Sequence, residues 1–484
     1  PALGYAPRHG PLQLNNLPKR KTGAVPTSRF GRAVRFGMLT GELALSAAVG
    51  TARQWSSGKP VDLAASLLTP GNAEILARRL AVLRGPAMKL GQLVSMSGEE
   101  LVPEEFRRAL DVLRSQGYSM PDSQLRRVLG REYGKGWQQK FAHFDFTPVA
   151  AASIGQIHRA RKLGGRELAL KIQYPGVAEA LESDLRNAGV IVRLARVMAP
   201  GLDAKAVTKE LRERILEELD YEYEAQNQRS FARAYRDHPF IYVPDVITRL
   251  SRRKVLVTEF VEGVGFDEVK EMDEEARGRF GEILFRGSFG SIYHLQHFNA
   301  DPHPGNYILM DDGRVAFLDF GMTKKVDQEQ IQLEQLAVDA ATRNNPEGLR
   351  DALADLGFIN DPSKMDALRL MEHVKLIGGW YMEDKEIEMS PKLVMKVIEA
   401  THDPRSEYFD LVRRESIPAD ELMGRRMEIG VMAVLGQLGA KRNWHRIMRE
   451  WVYADEPSTE LGREEWEYFE SRGVTQVPGI QVPG

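Results

Sequence analysis

Asn299-Ala300-Asp301-Pro302-His303-Pro304-Gly305-Asn306, followed by Phe317-Leu318-Asp319-Phe320-Gly321, is the part of this chain whose reading decides the fold. Asp301 and Asn306 form a D-x-x-x-x-N pattern, and Asp319 opens a D-F-G behind a short apolar strand. Phosphoryl transfer calls for such a set: one carboxylate orients the acceptor, an amide oxygen helps to hold a second metal, and another carboxylate holds the metal that bridges the phosphates. Magnesium, a hard ion, prefers these oxygen ligands. Pro302, Pro304 and Gly305 shape the loop, and the two prolines limit the entropy lost when the site assembles. Taken singly the fragments are ordinary, an Asp-Pro turn and a D-F-G that ends a strand. Their order and spacing together point to phosphoryl chemistry. His303, flanked by prolines, reads as a hydrogen-bonded loop residue rather than a metal ligand.

Working outward, Glu167-Leu168-Ala169-Leu170-Lys171-Ile172 alternates as a strand, with Leu168, Leu170 and Ile172 on one face and Ala169 and Lys171 on the other. By itself Lys171 is a strand lysine reaching solvent; beside the downstream set it becomes a candidate contact for nucleotide phosphates, and it needs a carboxylate partner. The candidates lie in the acidic run Glu217 to Glu224. On one continuous helix Asp220 and Glu224 share a face, while Glu218 and Glu224 point about 120° apart. The alternative is a solvated acidic helix face. A glycine-rich phosphate loop is missing from its expected place. Instead stand Ala150, Ala151, Ala152 and Ser153, whose methyl groups fill space that glycine leaves for phosphates.

The 484 residues carry 66 basic and 68 acidic side chains, a net charge of -2, which argues against nucleic-acid binding by bulk charge. There is no cysteine, which excludes thiolate catalysis and cysteine-held metals. Composition is that of a globular chain, and no stretch reads as a transmembrane helix; the apolar run Phe36 to Gly50 is short and interrupted by Glu42. The sequence divides into a basic, flexible leader (1–60), a helical extension (61–142), a mixed lobe (143–262), a helical lobe (263–455) and a C-terminal tail (456–484), Pro/Gly-rich and frayed from Gly473. Helices followed by strands and then helices again predict an α+β, two-lobed architecture with a cleft between the lobes.

With Lys89-Leu90-Gly91-Gln92 (K-x-G-Q) and Glu218-Leu219-Asp220 (E-x-D) added, the chain resembles the UbiB-like atypical kinase family, the AarF and ADCK group, over roughly residues 70–440. The resemblance implies a bilobal protein-kinase-like fold with an N-terminal helical extension, ATP or ADP and Mg2+ as cofactors, and a part in ubiquinone or other isoprenoid-lipid metabolism through ATPase or small-molecule kinase activity. It assigns Lys171 and Glu224 to a phosphate-contacting pair, Asp301 to the catalytic loop, Asn306 and Asp319 to metal, and Ala150 to Ser153 to the nucleotide loop. Lys89, Gln92, Glu218 and Asp220 become regulatory residues of a segment covering the cleft. Implied partners are the nucleotide, an isoprenoid lipid or quinone precursor, and a peripheral membrane surface. The implied location is the cytoplasm or inner-membrane surface in a bacterium, or the mitochondrion in a eukaryote. Many members carry His where this chain has Asn299. No A-P-E follows Asp319, so an ordinary protein kinase is disfavoured. Two other readings share these features: a nucleotide-gated prenyl-lipid-binding or chaperone module, and a small-molecule phosphotransferase of the aminoglycoside type. The second should lack K-x-G-Q.

Overall fold

The computed structural model describes residues 120–152, 154–177, 219–402, 406–412, 418 and 422–480. Lys89, Gln92, Ser153, Glu218, the leader and the helical extension before residue 120 lie outside the described residues.

The chain is α+β, with a small lobe built on one sheet and a larger, mostly helical lobe. Helix α1 (Asp122–Tyr133) buries Leu125, Val128 and Leu129 at helical spacing and ends at Gly134, whose φ of 86° suits glycine. Strands β1 (Phe141–Ala151), β2 (Gly155–Lys162) and β3 (Glu167–Gln173) follow. Gly164 and Gly165, at φ 102° and 93°, turn β2 into β3. β3 buries Leu168, Leu170 and Ile172 as its alternation predicts. β1 is a strand that sequence reading placed in part in a loop. Pro148 and three irregularities in its pairing with β2 break the alternation that would have shown it.

Helix α2 (Tyr221–Ala234) begins where the Asp220 side chain accepts the Glu222 N–H at 3.0 Å. The one continuous helix that would carry both Asp220 and Glu224 is not observed, because α2 starts only after Asp220. Asp220 sits in extended backbone as a cap and does not share a helical face with Glu224, and Glu218 precedes the cap. Beyond α2 come β4 (Ile241–Tyr242), β5 (Val255–Glu259) and β6 (Val264–Gly265). The first sheet has the order β1-β2-β3-β5, all antiparallel.

The helical lobe opens with α3 (Glu274–Phe285), a π-helical turn (Arg286–Gly290) and α4 (Ser291–Leu295). Short strands β7 (His297–Asn299), β8 (Tyr307–Leu309), β9 (Val315–Phe317) and β10 (Thr323–Lys325) carry the decisive stretch. They form a second sheet in the order β4-β9-β8-β6 and a β7-β10 pair. Since β5 belongs to the first sheet and β6 to the second, residues 260–263 cross between the lobes. Gly263 there approaches Leu309 so closely that a Cβ would lie 2.3 Å from its carbonyl oxygen.

The lobe is completed by α5 (Gln328–Thr342), α6 (Pro346–Asp355), α7 (Ala367–Met382), α8 (Pro391–His402), α9 (Leu422–Leu438), α10 (Trp444–Val452) and α11 (Glu460–Ser471). Asp327, Asn345, Asp366, Asn443 and Thr459 cap five of these by accepting first-turn N–H groups. Phe285, Phe289, Trp380, Trp444 and Trp451 pack at the centre of this lobe.

The reading of a frayed end from Gly473 needs correction. Residues 460–471 are helix, burying Leu461, Glu465, Tyr468 and Phe469. The segment beyond is pinned as well, since Val477 N–H donates to the Tyr293 carbonyl at 3.0 Å and Ile480 N–H to that of Val452 at 2.8 Å. Buried apolar side chains and paired backbone outweigh its Pro/Gly content.

Candidate active site

Lys171 leaves β3 on the face opposite the buried Leu168, Leu170 and Ile172. Its Nζ donates to Glu224 Oε1 at 2.6 Å and to Asp319 Oδ2 at 3.0 Å. The three side chains are 13, 3 and 31% exposed, so Asp319 is the member that opens to solvent. The Tyr221 ring centroid lies 5.4 Å from the ammonium. Burial works against the Lys171 charge, but Asp319 and Glu224 outweigh it and hold its pKa well above the ordinary lysine value. Lys171 is a fixed cation.

One stripe of α2 builds this junction. Glu224, Asn227 and Phe231 recur at three- and four-residue spacing. Asn227 Nδ2 donates to the Phe320 carbonyl at 3.3 Å, and Phe231 packs on the buried Phe320 ring with centroids 4.8 Å apart. The His297 ring also lies against Phe231, with centroids 4.6 Å apart. The helix that delivers Glu224 to Lys171 therefore also anchors the D-F-G turn.

Backbone pairing joins the two halves of the decisive stretch. Leu318 N–H donates to Asn306 O at 3.0 Å, and Ala300 N–H to Met322 O at 2.8 Å. Asn299 links them again: its Nδ2 donates to Asp319 O at 2.5 Å and its Oδ1 accepts the Asp301 N–H at 3.0 Å. Asn306 Nδ2 donates to Asp301 O at 3.1 Å. His303 accepts the Gly305 N–H at 3.1 Å through its own ring nitrogen, as a loop-shaping residue does.

The sequence reading missed Arg426. From α9 its Nε donates to Ala300 O at 2.9 Å, and its Nη2 pairs with Asp301 Oδ1. One turn on, Gly430 faces Pro302; a Cβ there would lie 2.5 Å from the proline Cγ. Helix α9 thus presses on the loop by an ion pair and a close approach. No motif spacing signals an arginine 125 residues away from its partner.

The alanine run is hairpin rather than open loop. Ala150 and Ala151 belong to β1, and Ala152 N–H donates to Gly155 O at 2.9 Å across the tip. Ala150 pairs with Ile157, and Ile157 with Lys171, so Ala150 and Lys171 occupy one sheet face. Asp220 is exposed and serves as the α2 cap.

Among the described residues no group of three His, Cys, Asp or Glu side chains converges as a metal cage. The donors present, the Asp319 carboxylate and the Asn306 amide oxygen, fit an ion that takes few protein ligands and keeps phosphate oxygens and water, as Mg2+ does. Among the described residues no helix is long and apolar enough to cross a membrane.

Comparison with known proteins shows the family. The ABC1 atypical kinase-like domain model matches residues 112–351. The chain is 32% identical over 316 residues to atypical kinase COQ8B, mitochondrial, of Danio rerio, across 64% of this chain and 51% of that protein. It is 28% identical over 342 residues to atypical kinase COQ8, mitochondrial, of Saccharomyces cerevisiae, across 70% of this chain and 68% of that protein. It thus spans about half the length of the zebrafish relative. Among solved structures, Rv3197 of Mycobacterium tuberculosis in complex with erythromycin superposes with a TM-score of 0.59 at 34% identity, across 76% of this chain and 92% of that one. The chain belongs to the UbiB-like atypical kinase family, the group that includes the ABC1 and COQ8 proteins.

Proposed function

We propose that this protein binds ATP or ADP with Mg2+ and works as an atypical kinase or ATPase supporting ubiquinone or related isoprenoid-lipid metabolism. The observation that carries the reading is the junction of Lys171, Glu224 and Asp319, three groups from separate elements meeting at hydrogen-bond distance. In this reading Glu224 steers the Lys171 ammonium, which binds nucleotide phosphate. Asp319 and Asn306 are the side chains that would hold the metal. Bound Mg2+ would neutralise charge that builds on the transferring phosphoryl group. Asp301 orients the attacking group, a water or an acceptor hydroxyl, and Arg426 fixes where Asp301 points. Ala150 to Ala152 form a hairpin edge with methyl groups where phosphate-binding loops present bare backbone. The short link from Gly321 to α5 supports a substrate other than a docked peptide.

A second reading, a nucleotide-gated binding module, is favoured by one observation: the related Rv3197 chain was solved holding the small molecule erythromycin. An assay of purified protein with labelled ATP, with and without a prenylated phenol and anionic liposomes, separates the two. Transfer of label or lipid-stimulated hydrolysis supports the enzyme. Lipid binding gated by nucleotide without net turnover supports the module, and absence of any nucleotide binding refutes both.

A further inference from the structure

Behind the β1–β2 hairpin a chain of polar side chains is sunk in an apolar cluster. Gln156 and His158 are fully buried on β2, close to Met120, Ile154, Leu168 and Leu170. Gln156 Oε1 accepts the Met120 N–H at 2.7 Å, just before α1. Gln156 Nε2 lies 2.6 Å from His158 Nε2, and His158 Nδ1 lies 2.8 Å from the Asp145 carbonyl oxygen. That carbonyl sits where β1 bulges, between the pairs Phe144–Ala160 and Pro148–His158.

The partners leave one arrangement of protons. A carbonyl only accepts, so Nδ1 carries the ring hydrogen. A backbone N–H only donates, so the Gln156 oxygen faces Met120 and its NH2 faces the ring. His158 Nε2 must then accept, which a neutral imidazole does and an imidazolium cannot. Burial holds the His158 pKa below its ordinary value, against the bond to the Asp145 carbonyl and the Asp145 and Asp122 carboxylates. Each bond runs in one direction, from the Met120 amide through Gln156 and His158 to Asp145. Breaking one strands a buried polar group, so the chain holds as a unit.

This relay ends at the nucleotide edge of the sheet. Gln156 pairs across the ladder with Ala151, and the neighbouring Gly155 accepts the Ala152 N–H at 2.9 Å across the hairpin tip. Ile157, between the two relay residues, lies on the opposite face with Ala150 and Lys171.

We propose that Gln156 and His158 are positioning residues whose relay ties the entry to α1 to the bulged hairpin and fixes the alanine edge relative to Lys171, a role that rests on the nucleotide-binding reading of this cleft. Movement at the start of α1 then reaches the alanine edge through two side chains.

The test uses the full chain, labelled with nitrogen-15, and ADP with Mg2+ as the titrant. NMR of His158 should show a neutral ring protonated at Nδ1; protonation at Nε2 alone, or an imidazolium at neutral pH, overturns the relay. Gln156→Leu cuts the relay in the middle and His158→Phe cuts it at the Asp145 end. Each should speed amide exchange at Ala152 and weaken ADP binding about five- to tenfold, with kcat kept within about twofold because Lys171, Asp301 and Asp319 are untouched. If one variant does not fold, the other carries the test. A merely structural relay would lower the melting temperature and leave affinity as it was, so parent affinity in a folded variant overturns the positioning role. Unchanged Ala152 exchange overturns the link to the hairpin. Gln156→Glu offers an oxygen to Met120 and to His158 alike; it should draw a second proton onto the ring and restore ADP affinity to within about twofold of the parent. A neutral His158 in that variant overturns the relay. If the parent binds no ADP, the nucleotide role falls with that reading, while the His158 ring and Ala152 exchange still decide the relay itself.

Discussion

Replacing Arg426 by Gln removes a cation that no motif announces and that the geometry places on the Asp301 carboxylate. The ion pair with Asp301 is 11 and 19% exposed on its two sides. It therefore lies between surface pairs, worth about 0–1 kcal/mol, and fully buried ones, whose breakage costs about 3–5 kcal/mol. A loss of roughly 2–3 kcal/mol of folding stability follows, which a domain with about 5–15 kcal/mol in hand survives. The loop keeps its bonds from Asn299 and Asn306 but loses both contacts with Arg426. A displacement of about 1 Å at a reacting group is enough for a hundredfold loss of rate. Single-turnover and steady-state assays should show kcat reduced by about ten- to a hundredfold, with nucleotide affinity unchanged, because Lys171, Glu224 and Asp319 are untouched. Arg426→Lys keeps the charge but cannot make both bonds, and should fall between. A folded Arg426→Gln protein with the parent kcat would refute the positioning argument, as would a loss confined to nucleotide affinity.

Other outcomes follow from the same structure. Phe231→Ala leaves a void beside Phe320 and His297 and should cost about 3–5 kcal/mol in urea unfolding, whereas Phe231→Leu should cost less; equal stabilities would remove the claim that Phe231 anchors the D-F-G turn. Glu465 is buried against Arg286 at 2.9 Å; burial, opposed by Arg286 and reinforced by Glu450, pushes its carboxyl up to about 7. The folded state then holds the proton more tightly than the unfolded one. The stability this adds is complete below about pH 4.5 and disappears as pH climbs through 7, up to roughly 3 kcal/mol. Glu465→Gln should flatten that slope in melts recorded across the range, and an unchanged slope would assign the dependence elsewhere.

The parts legible in the sequence are those in which the chemistry is local. Alternation in Glu167 to Ile172 faces Lys171 away from the core, and Asp301, Asn306 and Asp319 lie within one stretch joined by short strands. The start of α6 is local in the same way, since Asn345 caps it and Pro346 opens it. What was hidden depends on distant partners. Arg286 binds Glu450 and Glu465 across 164 and 179 residues, and that network turns an apparent tail into a packed helix. Asp220 looked like one more acid on a long helix, and only its bond to the Glu222 N–H reveals the helix start. Pro148 and irregular pairing concealed β1.

Magnesium-dependent nucleotide turnover, measured on the parent and on Asp319→Asn at matched secondary structure and melting temperature, bears most directly on the central claim. The account predicts hydrolysis or transfer by the parent and a loss of at least about a hundredfold in the variant, with Lys171 still paired to Glu224. A folded Asp319→Asn protein that turns over nucleotide at the parent rate would contradict it.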